Sequence, residues 1–155
     1  MNIGIVVYSR SGNTYSVALK LEEKLAAAGH AVTLERLETV GEPQPGDKDI
    51  RFQSLPDLSQ YDALVFGSAV EAFSLSQIMA TYLKQVVSLE GKKVAFLVTQ
   101  AFPYRWLGGN RAVRQMTRAC ESKGATVCGS GIVNWMHKRR EQRIVDVTDR
   151  LSGLF

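Results

Sequence analysis

Cysteine and histidine are scarce in this sequence of 155 residues, which contains two of each. Cys120 and Cys128 are too few for a disulfide framework, and their spacing matches no zinc or redox motif. His30 follows a glycine at a predicted helix end, and His137 lies far from it along the chain. The sequence offers no recognisable ligand set, so we expect no metal site.

Long hydrophobic runs are also lacking. No uninterrupted apolar stretch approaches the roughly 18 residues that a helix needs to span a bilayer. The apolar start, residues 3–8, is too short for a signal-peptide core, and no basic residue precedes it. We therefore expect a cytoplasmic protein with no membrane span.

Charge is moderate, with 19 Lys and Arg residues against 15 Asp and Glu residues and a net charge of +4. This excess favours encounters with anionic partners but says nothing about the fold. No dense basic run contains interleaved aromatic residues, so we expect no binding to nucleic acid. The one basic cluster, Lys138 to Arg140 with Arg143 nearby, is interpreted as a solvated face of the last helix.

Short β-rich runs alternate with longer stretches of helical periodicity along the chain. Strands are predicted at residues 3–8, 31–37, 61–67, 93–99 and 125–133. Helices are predicted at residues 14–28, 75–86 and 110–123, and a last helix is predicted to open at Trp135. The segment 41–60 holds three of the four prolines and is predicted to be a long surface connection with one turn of helix or strand. We count five strands and five helices in alternation.

This alternation determines the expected fold class. Strands separated by a dozen or more residues are joined by right-handed crossovers into a parallel sheet. A closed barrel needs about 250 residues, so the chain is too short for one. We expect a single α/β domain over residues 1–155, with an open, doubly wound, five-stranded parallel sheet between two helical layers. Ligands of such sheets bind at the carboxyl ends of the strands.

A polar loop follows the first strand and leads directly into a helix. It consists of Ser9, Arg10, Ser11, Gly12, Asn13 and Thr14. Free backbone N–H groups and the helix dipole favour an anion at such a position, and the hydroxyls can donate to phosphate oxygens. Simple capping of the helix by Ser11 or Asn13 is the structural alternative. Capping needs one such residue rather than a run of them, so we interpret the loop as a phosphate site.

Other phosphate-binding and phosphoryl-transfer families are excluded by their missing residues. The sequence contains neither the P-loop pattern of nucleoside triphosphatases nor the glycine pattern of dinucleotide-binding domains. A receiver domain requires an acidic residue at the end of the third strand, where this chain has Phe66, Gly67 and Ser68.

With these residues in view, the chain resembles a flavodoxin. In that family the FMN-phosphate loop has the pattern (S/T)-x-(S/T)-G-x-T. Residues 9–14 match this pattern at every position. The resemblance extends over essentially the whole chain and is to the short-chain branch, because the fifth strand has no long insertion. It implies the strand order 2-1-3-4-5, a flavodoxin-like three-layer sandwich and FMN at the carboxyl edge.

The resemblance also implies three groups of cofactor-binding residues. The phosphate would be held by the loop Ser9, Arg10, Ser11, Gly12, Asn13 and Thr14. One side of the isoalloxazine would face the loop Ser68, Ala69, Val70, Glu71, Ala72 and Phe73. The other face would be covered by the loop that includes Thr99, Gln100, Ala101, Phe102, Tyr104, Trp106, Gly108 and Gly109. Three aromatic residues in this last loop suit stacking on a flat π-system, although packing under the loop is the alternative.

Two features depart from the flavodoxin pattern. Many flavodoxins have an aromatic residue in the first flavin loop, where this chain has Val70 and Glu71. Most electron-carrier flavodoxins are also strongly acidic, whereas this chain has a net charge of +4. We therefore expect a redox partner that differs from the usual basic docking surface.

Three functions are compatible with these residues. The first is an FMN-dependent electron carrier that passes electrons between a reductase and an acceptor, as a monomer or weak dimer, without a catalytic side chain. The second is an FMN-containing reductase that uses NAD(P)H to reduce a quinone or another small acceptor. The third is a binding module that has kept the fold and lost the cofactor, against which the intact phosphate loop argues. We favour the carrier.

Overall fold

A six-stranded sheet runs through the centre of the protein, and the computed structural model describes residues 1–155. The strands are β1 (Asn2–Val7), β2 (Ala31–Arg36), β3 (Ala63–Glu71), β4 (Ser74–Leu75), β5 (Lys93–Gln100) and β6 (Thr126–Asn134). The helices are α1 (Asn13–Ala27), α2 (Gln77–Gln85), α3 (Gly109–Glu121) and α4 (Arg140–Ser152). A single 3-10 turn occupies Leu58–Gln60. No helix is both long enough and apolar enough to cross a membrane.

The five long strands are all parallel and lie in the order β2-β1-β3-β5-β6. The two-residue strand β4 pairs antiparallel with the end of β3 and lies off this path. Counted without β4, the strand order is the predicted 2-1-3-4-5. The predicted doubly wound α/β fold is therefore confirmed.

Alternate residues of the central strands pack into two separate cores, one on each face of the sheet. Phe66 and Phe96 lie on the face covered by α2 and α3, where they meet side chains such as Met79. Ile5 and Leu97 lie on the face covered by α1 and α4. Both cores are fully buried, which explains why β1, β3 and β5 read as continuous apolar runs. The edge strand β2 is only partly buried, in keeping with its mixed sequence.

The number of helices was overestimated from the sequence. Four α-helices form, not five, because the connection between β2 and β3 contains only the 3-10 turn Leu58–Gln60 and an isolated bridge between Thr39 and Phe52. Three prolines in this connection disfavour a longer helix. The prediction of a surface connection with one turn of helix is correct for this segment.

The predicted start of the last helix at Trp135 is also wrong. The amide of Trp135 donates to the carbonyl of Gln100 at 2.7 Å, and the amide of Met136 donates to the carbonyl of Ala101 at 3.1 Å. These bonds attach the end of β6 to the neighbouring strand, so α4 begins only at Arg140. The Arg140 guanidinium instead packs over the Trp135 ring, 4.7 Å from its centroid.

Candidate functional site

The sheet order brings the carboxyl ends of β1, β3 and β5 together at one edge. Three segments meet there: the first loop (residues 9–14), the hairpin (residues 68–75, the end of β3 with β4) and the third loop (residues 99–109). They are separated by many residues in sequence and become neighbours only because β3 lies between β1 and β5.

The first loop forms an open, hydroxyl-lined N-terminus for α1. Gly12 stands at the N-cap with a left-handed φ of 90°, and a Cβ placed there would meet nothing within 4 Å. The backbone amides of Gly12 and Thr14 find no hydrogen-bond acceptor within the protein. The loop therefore offers free N–H donors and the positive end of a helix dipole beside an unobstructed glycine, which suits an anion.

Ser9 caps α1, whereas the sequence offered Ser11 or Asn13 as the capping residue. The buried hydroxyl of Ser9 accepts from the amide of Tyr15 at 3.2 Å, so Ser9 satisfies one of the helix donors. Ser11 accepts from the amide of Asn13 only at 3.4 Å and is exposed. Asn13 is the first residue of the helix, and its carbonyl accepts from Ser16. The Ser11 hydroxyl consequently remains available to a ligand.

A side-chain hydrogen bond of Thr14 connects the first loop to β5. Its hydroxyl lies 2.7 Å from the hydroxyl of Thr99, and both residues are almost completely buried. This bond spans β3 and joins two of the three site segments. It thus brings together two predicted site residues that lie far apart in the sequence.

The hairpin was predicted to be a loop over residues 68–73, and the structure corrects this. Residues 68–71 are extended and belong to β3, while Ala72 and Phe73 form the tight turn to β4. Ser68 is fully buried, and its hydroxyl donates to the carbonyl of Ala69. Sequence reasoning missed β4 because a two-residue strand has no periodicity and the turn contains neither glycine nor asparagine.

Both residues of this turn have positive φ angles, 49° at Ala72 and 61° at Phe73. Consecutive left-handed residues are what a two-residue hairpin turn requires, but the usual residues there are asparagine and glycine. Side chains other than these are strained in that region, by about 1–2 kcal/mol each. Strain of this kind is concentrated at binding sites.

A cavity of about 650 Å³ joins the first loop to the hairpin. Six of the sequence-predicted site residues line it: Arg10, Ser11, Ala69, Val70, Glu71 and Ala72. Its volume lies within the range of about 300–1,000 Å³ that is typical of cofactor sites. A side-chain hydrogen bond with Tyr8 and then the charge of Glu71 raise the pKa of Arg10, so this cavity contains a permanent cation.

The wall opposite these residues was not predicted as part of a site. It consists of Pro43, Gln44, Pro45, Gly46, Leu75, Gln77 and Ile78. Gln77 secures this wall, because its amide nitrogen donates to the carbonyl of Asp47 and its amide oxygen accepts from the amide of Gly46. In the sequence, the prolines are the one feature that distinguishes this segment. We interpreted the segment as part of a surface connection and not as the wall of a binding site.

The third loop presents exposed, paired aromatic rings. Tyr104 and Trp106 stack with centroids 5.7 Å apart, and 73% of Trp106 is exposed. Phe102 stacks on Phe73 of the hairpin with centroids 6.0 Å apart. These rings do not form the packing under the loop that we considered as the alternative. None of them lines the cavity of 650 Å³.

Two buried amides hold the third loop in place. The Gln100 side chain donates to the carbonyls of Phe102 and Tyr104, and the Asn134 side chain donates to the carbonyl of Phe102 at 3.1 Å. Gly109 lacks a side chain that would collide with the Gln100 amide. Gln100 is therefore a support for the loop, and Asn134, at the end of β6, is a second support that the sequence did not reveal.

The third loop also touches the hairpin directly. Gly108 has φ 120°, and a Cβ placed there would lie 2.5 Å from Val70 and 2.9 Å from the backbone of Phe73. The structure thus brings all three predicted segments to one edge: the first loop and the hairpin line a shared cavity, and the third loop packs against the hairpin.

Neither cysteine belongs to the three segments at this edge. Cys120 is fully buried in the core under α3, and burial raises the pKa of its thiol to about 12. No group of three or more His, Cys, Asp or Glu side chains in the structure is arranged to hold a metal ion. The residues brought together at this edge thus include hydrogen-bond donors, the Arg10 guanidinium, the Glu71 carboxylate and aromatic rings.

The chain is similar to known proteins over most of its length. It is 29% identical to a flavodoxin of Megasphaera elsdenii over 134 residues, which cover 86% of this chain and 87% of the relative. The chain is therefore similar to flavodoxins over most of its length. No protein-family model matches it.

Solved structures agree with this likeness. Oxidised flavodoxin 2 from Bacillus cereus has a TM-score of 0.70 and 22% identity, with complete coverage of both chains. A flavodoxin from Streptococcus pneumoniae TIGR4 has a TM-score of 0.69 and 18% identity, again with complete coverage. A flavoprotein from Lactobacillus acidophilus in complex with FMN has a TM-score of 0.66 and 18% identity, covering 95% of this chain and 98% of its own. Identities this low establish the shared fold alone.

Proposed function

We propose that this flavodoxin-like chain binds FMN and carries electrons between a reductase and an acceptor. The observation that carries the proposal is the cavity of about 650 Å³ whose wall combines Arg10 and Ser11, just before α1, with the strained hairpin. The likeness to a flavodoxin and to an FMN-containing flavoprotein supports it. In this proposal, residues 1–155 act as one cytoplasmic domain, as a monomer or weak dimer.

The first loop fits the phosphate end of FMN. The free amides of Gly12 and Thr14 and the exposed hydroxyl of Ser11 are donors, and Arg10 supplies a positive charge. Ser9 and Asn13 would shape the loop through their bonds within α1. A phosphate at this position would be bound by charge-assisted hydrogen bonds, which are stronger than neutral ones.

The hairpin and the third loop fit the planar end. Bound FMN would supply redox chemistry that no side chain of this protein can perform, while the chain binds, orients and shields it. Residues 69–72 line the cavity, and the exposed rings of Phe73, Phe102, Tyr104 and Trp106 offer stacking surfaces at the same edge of the sheet. Glu71 adds a negative charge to the same wall, which disfavours added negative charge on a ring nearby.

A reductase that uses NAD(P)H directly is the second candidate. The feature that favours it is the basic, aromatic character of the third loop, where Arg105 lies between Tyr104 and Trp106. Such an enzyme oxidises NADPH unaided, whereas a carrier requires a separate reductase. The two functions are therefore distinguished by one titration.

The test is an absorbance titration of the purified protein with FMN, followed by anaerobic NADPH and then dithionite. We expect a bound-flavin spectrum that NADPH leaves unchanged and dithionite bleaches. Bleaching by NADPH alone would establish the reductase instead. Failure of the protein to take up FMN would overturn both.

The phosphate assignment has its own variant and matched control. Ser11→Ala should weaken FMN binding by about 1–3 kcal/mol, because a phosphate oxygen loses a donor. Ser54→Ala removes an equally exposed hydroxyl from the connection between β2 and β3 and should leave FMN binding unchanged. Equal dissociation constants for the two variants would contradict the assignment.

A further inference from the structure

Five arginines surround two adjoining cavities beside the edge strand β6. The cavities have volumes of about 280 Å³ and 540 Å³, and Arg105 and Arg150 line both. Arg114 lines the smaller one, and Arg139 and Arg143 line the larger one. We call Arg105, Arg114, Arg139, Arg143 and Arg150 the arginine face. It unites the third loop, α3 and α4, which are distant in the sequence.

The charges of the arginine face are not neutralised within the protein. The four salt bridges of the structure involve none of these five arginines. Asp146 is the one acidic residue lining either cavity, and it accepts from Gln142 at 2.9 Å. Arg150 donates to the backbone carbonyl of Ser130 on β6, which leaves its charge uncompensated. The face is therefore a concentrated positive patch.

The position of two of these arginines opposes helix stability. Arg139 is the N-cap of α4, and Arg143 lies one turn further along. Cations near a helix N-terminus are disfavoured by the helix dipole. The charges of Arg139 and Arg143 thus do not stabilise α4 and remain available to an anionic group.

Exposed apolar side chains border the arginine face. Tyr104 and Trp106 flank Arg105 in the third loop, and Met136 is 70% exposed in the turn before α4. Hydrogen bonds from Trp135 and Met136 to residues 100 and 101 keep this turn against the third loop. Tryptophan, tyrosine, methionine and arginine are the residue types enriched at protein–protein interfaces.

We propose that the arginine face, with its aromatic border, docks an acidic protein that exchanges electrons with this chain. The inference rests on the proposed function, since it names the chemistry of the redox partner. A small anion would contact only two or three of the arginines, which are spread over a loop, a turn and two helices. The exposed aromatic border fits a partner's apolar surface better than a phosphate backbone, so a protein is favoured over nucleic acid.

The experiment uses the FMN-loaded full chain and a short polyglutamate peptide as the probe of an acidic surface. Arg139→Glu/Arg143→Glu should bind the peptide about tenfold more weakly than the unaltered chain at low salt. Lys48→Glu/Lys93→Glu makes the same change in net charge at exposed positions outside both cavities and should change binding less than about twofold. Arg139→Gln/Arg143→Gln, which removes charge without reversing it, should give an intermediate loss.

Three outcomes decide the matter. Weaker binding of the peptide by the arginine variants alone supports the docking surface. An equal loss of peptide affinity in the lysine control would show that net charge alone governs binding. That result would overturn the proposed docking surface. Tighter binding of a short DNA duplex, weakened by the same arginine substitutions, would overturn it in favour of nucleic acid. The FMN affinity of each variant is measured in parallel, so failure to bind FMN is recognised separately from failure of the arginine face.

Discussion

Single residues at the carboxyl edge adopt conformations that their side chains disfavour. Ala72 and Phe73 are both left-handed, although neither is a residue type that tolerates this region. Phe73 gains a stacking contact with Phe102, but the methyl group of Ala72 is exposed. The strain at Ala72 is thus not offset by packing.

This strain gives the first prediction. Ala72→Gly should raise the free energy of unfolding by about 1 kcal/mol, because glycine adopts positive φ without a steric penalty. The matched control is Ala26→Gly in the exposed face of α1, where the same change should lower stability by about 1 kcal/mol. Urea unfolding of both variants checks the sign, and destabilisation by both would contradict the prediction.

The bond between Thr14 and Thr99 gives the second prediction. Thr14→Val should lower the free energy of unfolding by about 1–3 kcal/mol, because it leaves the Thr99 hydroxyl buried without its partner. Thr14→Val/Thr99→Val should be closer to the unaltered protein than the single variant, since no hydroxyl is then left unpaired. Strictly additive losses in a double-mutant cycle would show that the two hydroxyls do not interact.

At the scale of elements, side chains add to a few backbone hydrogen bonds in holding the third loop. Gln100 and Asn134 project from the ends of β5 and β6 and donate to carbonyls of the loop. Their hydrogen bonds replace those that a strand or helix would supply. The aromatic rings of the loop are thereby presented to solvent in a defined arrangement.

The third prediction concerns the support that the Gln100 side chain gives to the third loop. Gln100→Leu should reduce the local stability of the loop by about 1 kcal/mol, since the carbonyls of Phe102 and Tyr104 each lose one of their two donors. Trypsin should then cleave after Arg105 about fivefold faster, because cleavage follows the population of the open loop. Cleavage after Arg51, an exposed site in the connection between β2 and β3, serves as the internal control and should not change. Equal acceleration at both sites would indicate global destabilisation instead.

For the whole molecule, three ionisable groups in the core under α2 and α3 make stability depend on pH in the alkaline range. Burial raises the pKa of the Cys120 thiol from its ordinary value of 9.0 to about 12. Burial also raises the pKa values of Tyr82 and Tyr61. All three groups are neutral in the folded protein at pH values where the unfolded chain ionises them.

The fourth prediction follows from the sign of these shifts. A raised pKa in the folded state stabilises the protein fully below the unfolded pKa, and this contribution is lost as pH rises through the folded pKa. The melting temperature should therefore be constant near neutral pH and fall between about pH 9 and 12. Cys120→Ala should be less stable at neutral pH but should lose stability less steeply over that interval. Parallel pH profiles would show that the thiol does not contribute.

The sequence by itself determined the five long strands, their parallel arrangement and the first loop. The strands are predictable because a strand buried on both faces must be apolar throughout, and the first loop because its residues are consecutive between β1 and α1. Its six residues match a local pattern that requires no distant partner.

Only the tertiary structure decided which residues surround the cavity and which support it. The wall formed by residues 43–46, the bond between Thr14 and Thr99, and the support of the third loop by Asn134 all join segments distant in sequence. The sheet order places those segments side by side, and no local pattern of residues records such a contact. The arginine face arises in the same way, since its members come from three elements that are distant in the sequence.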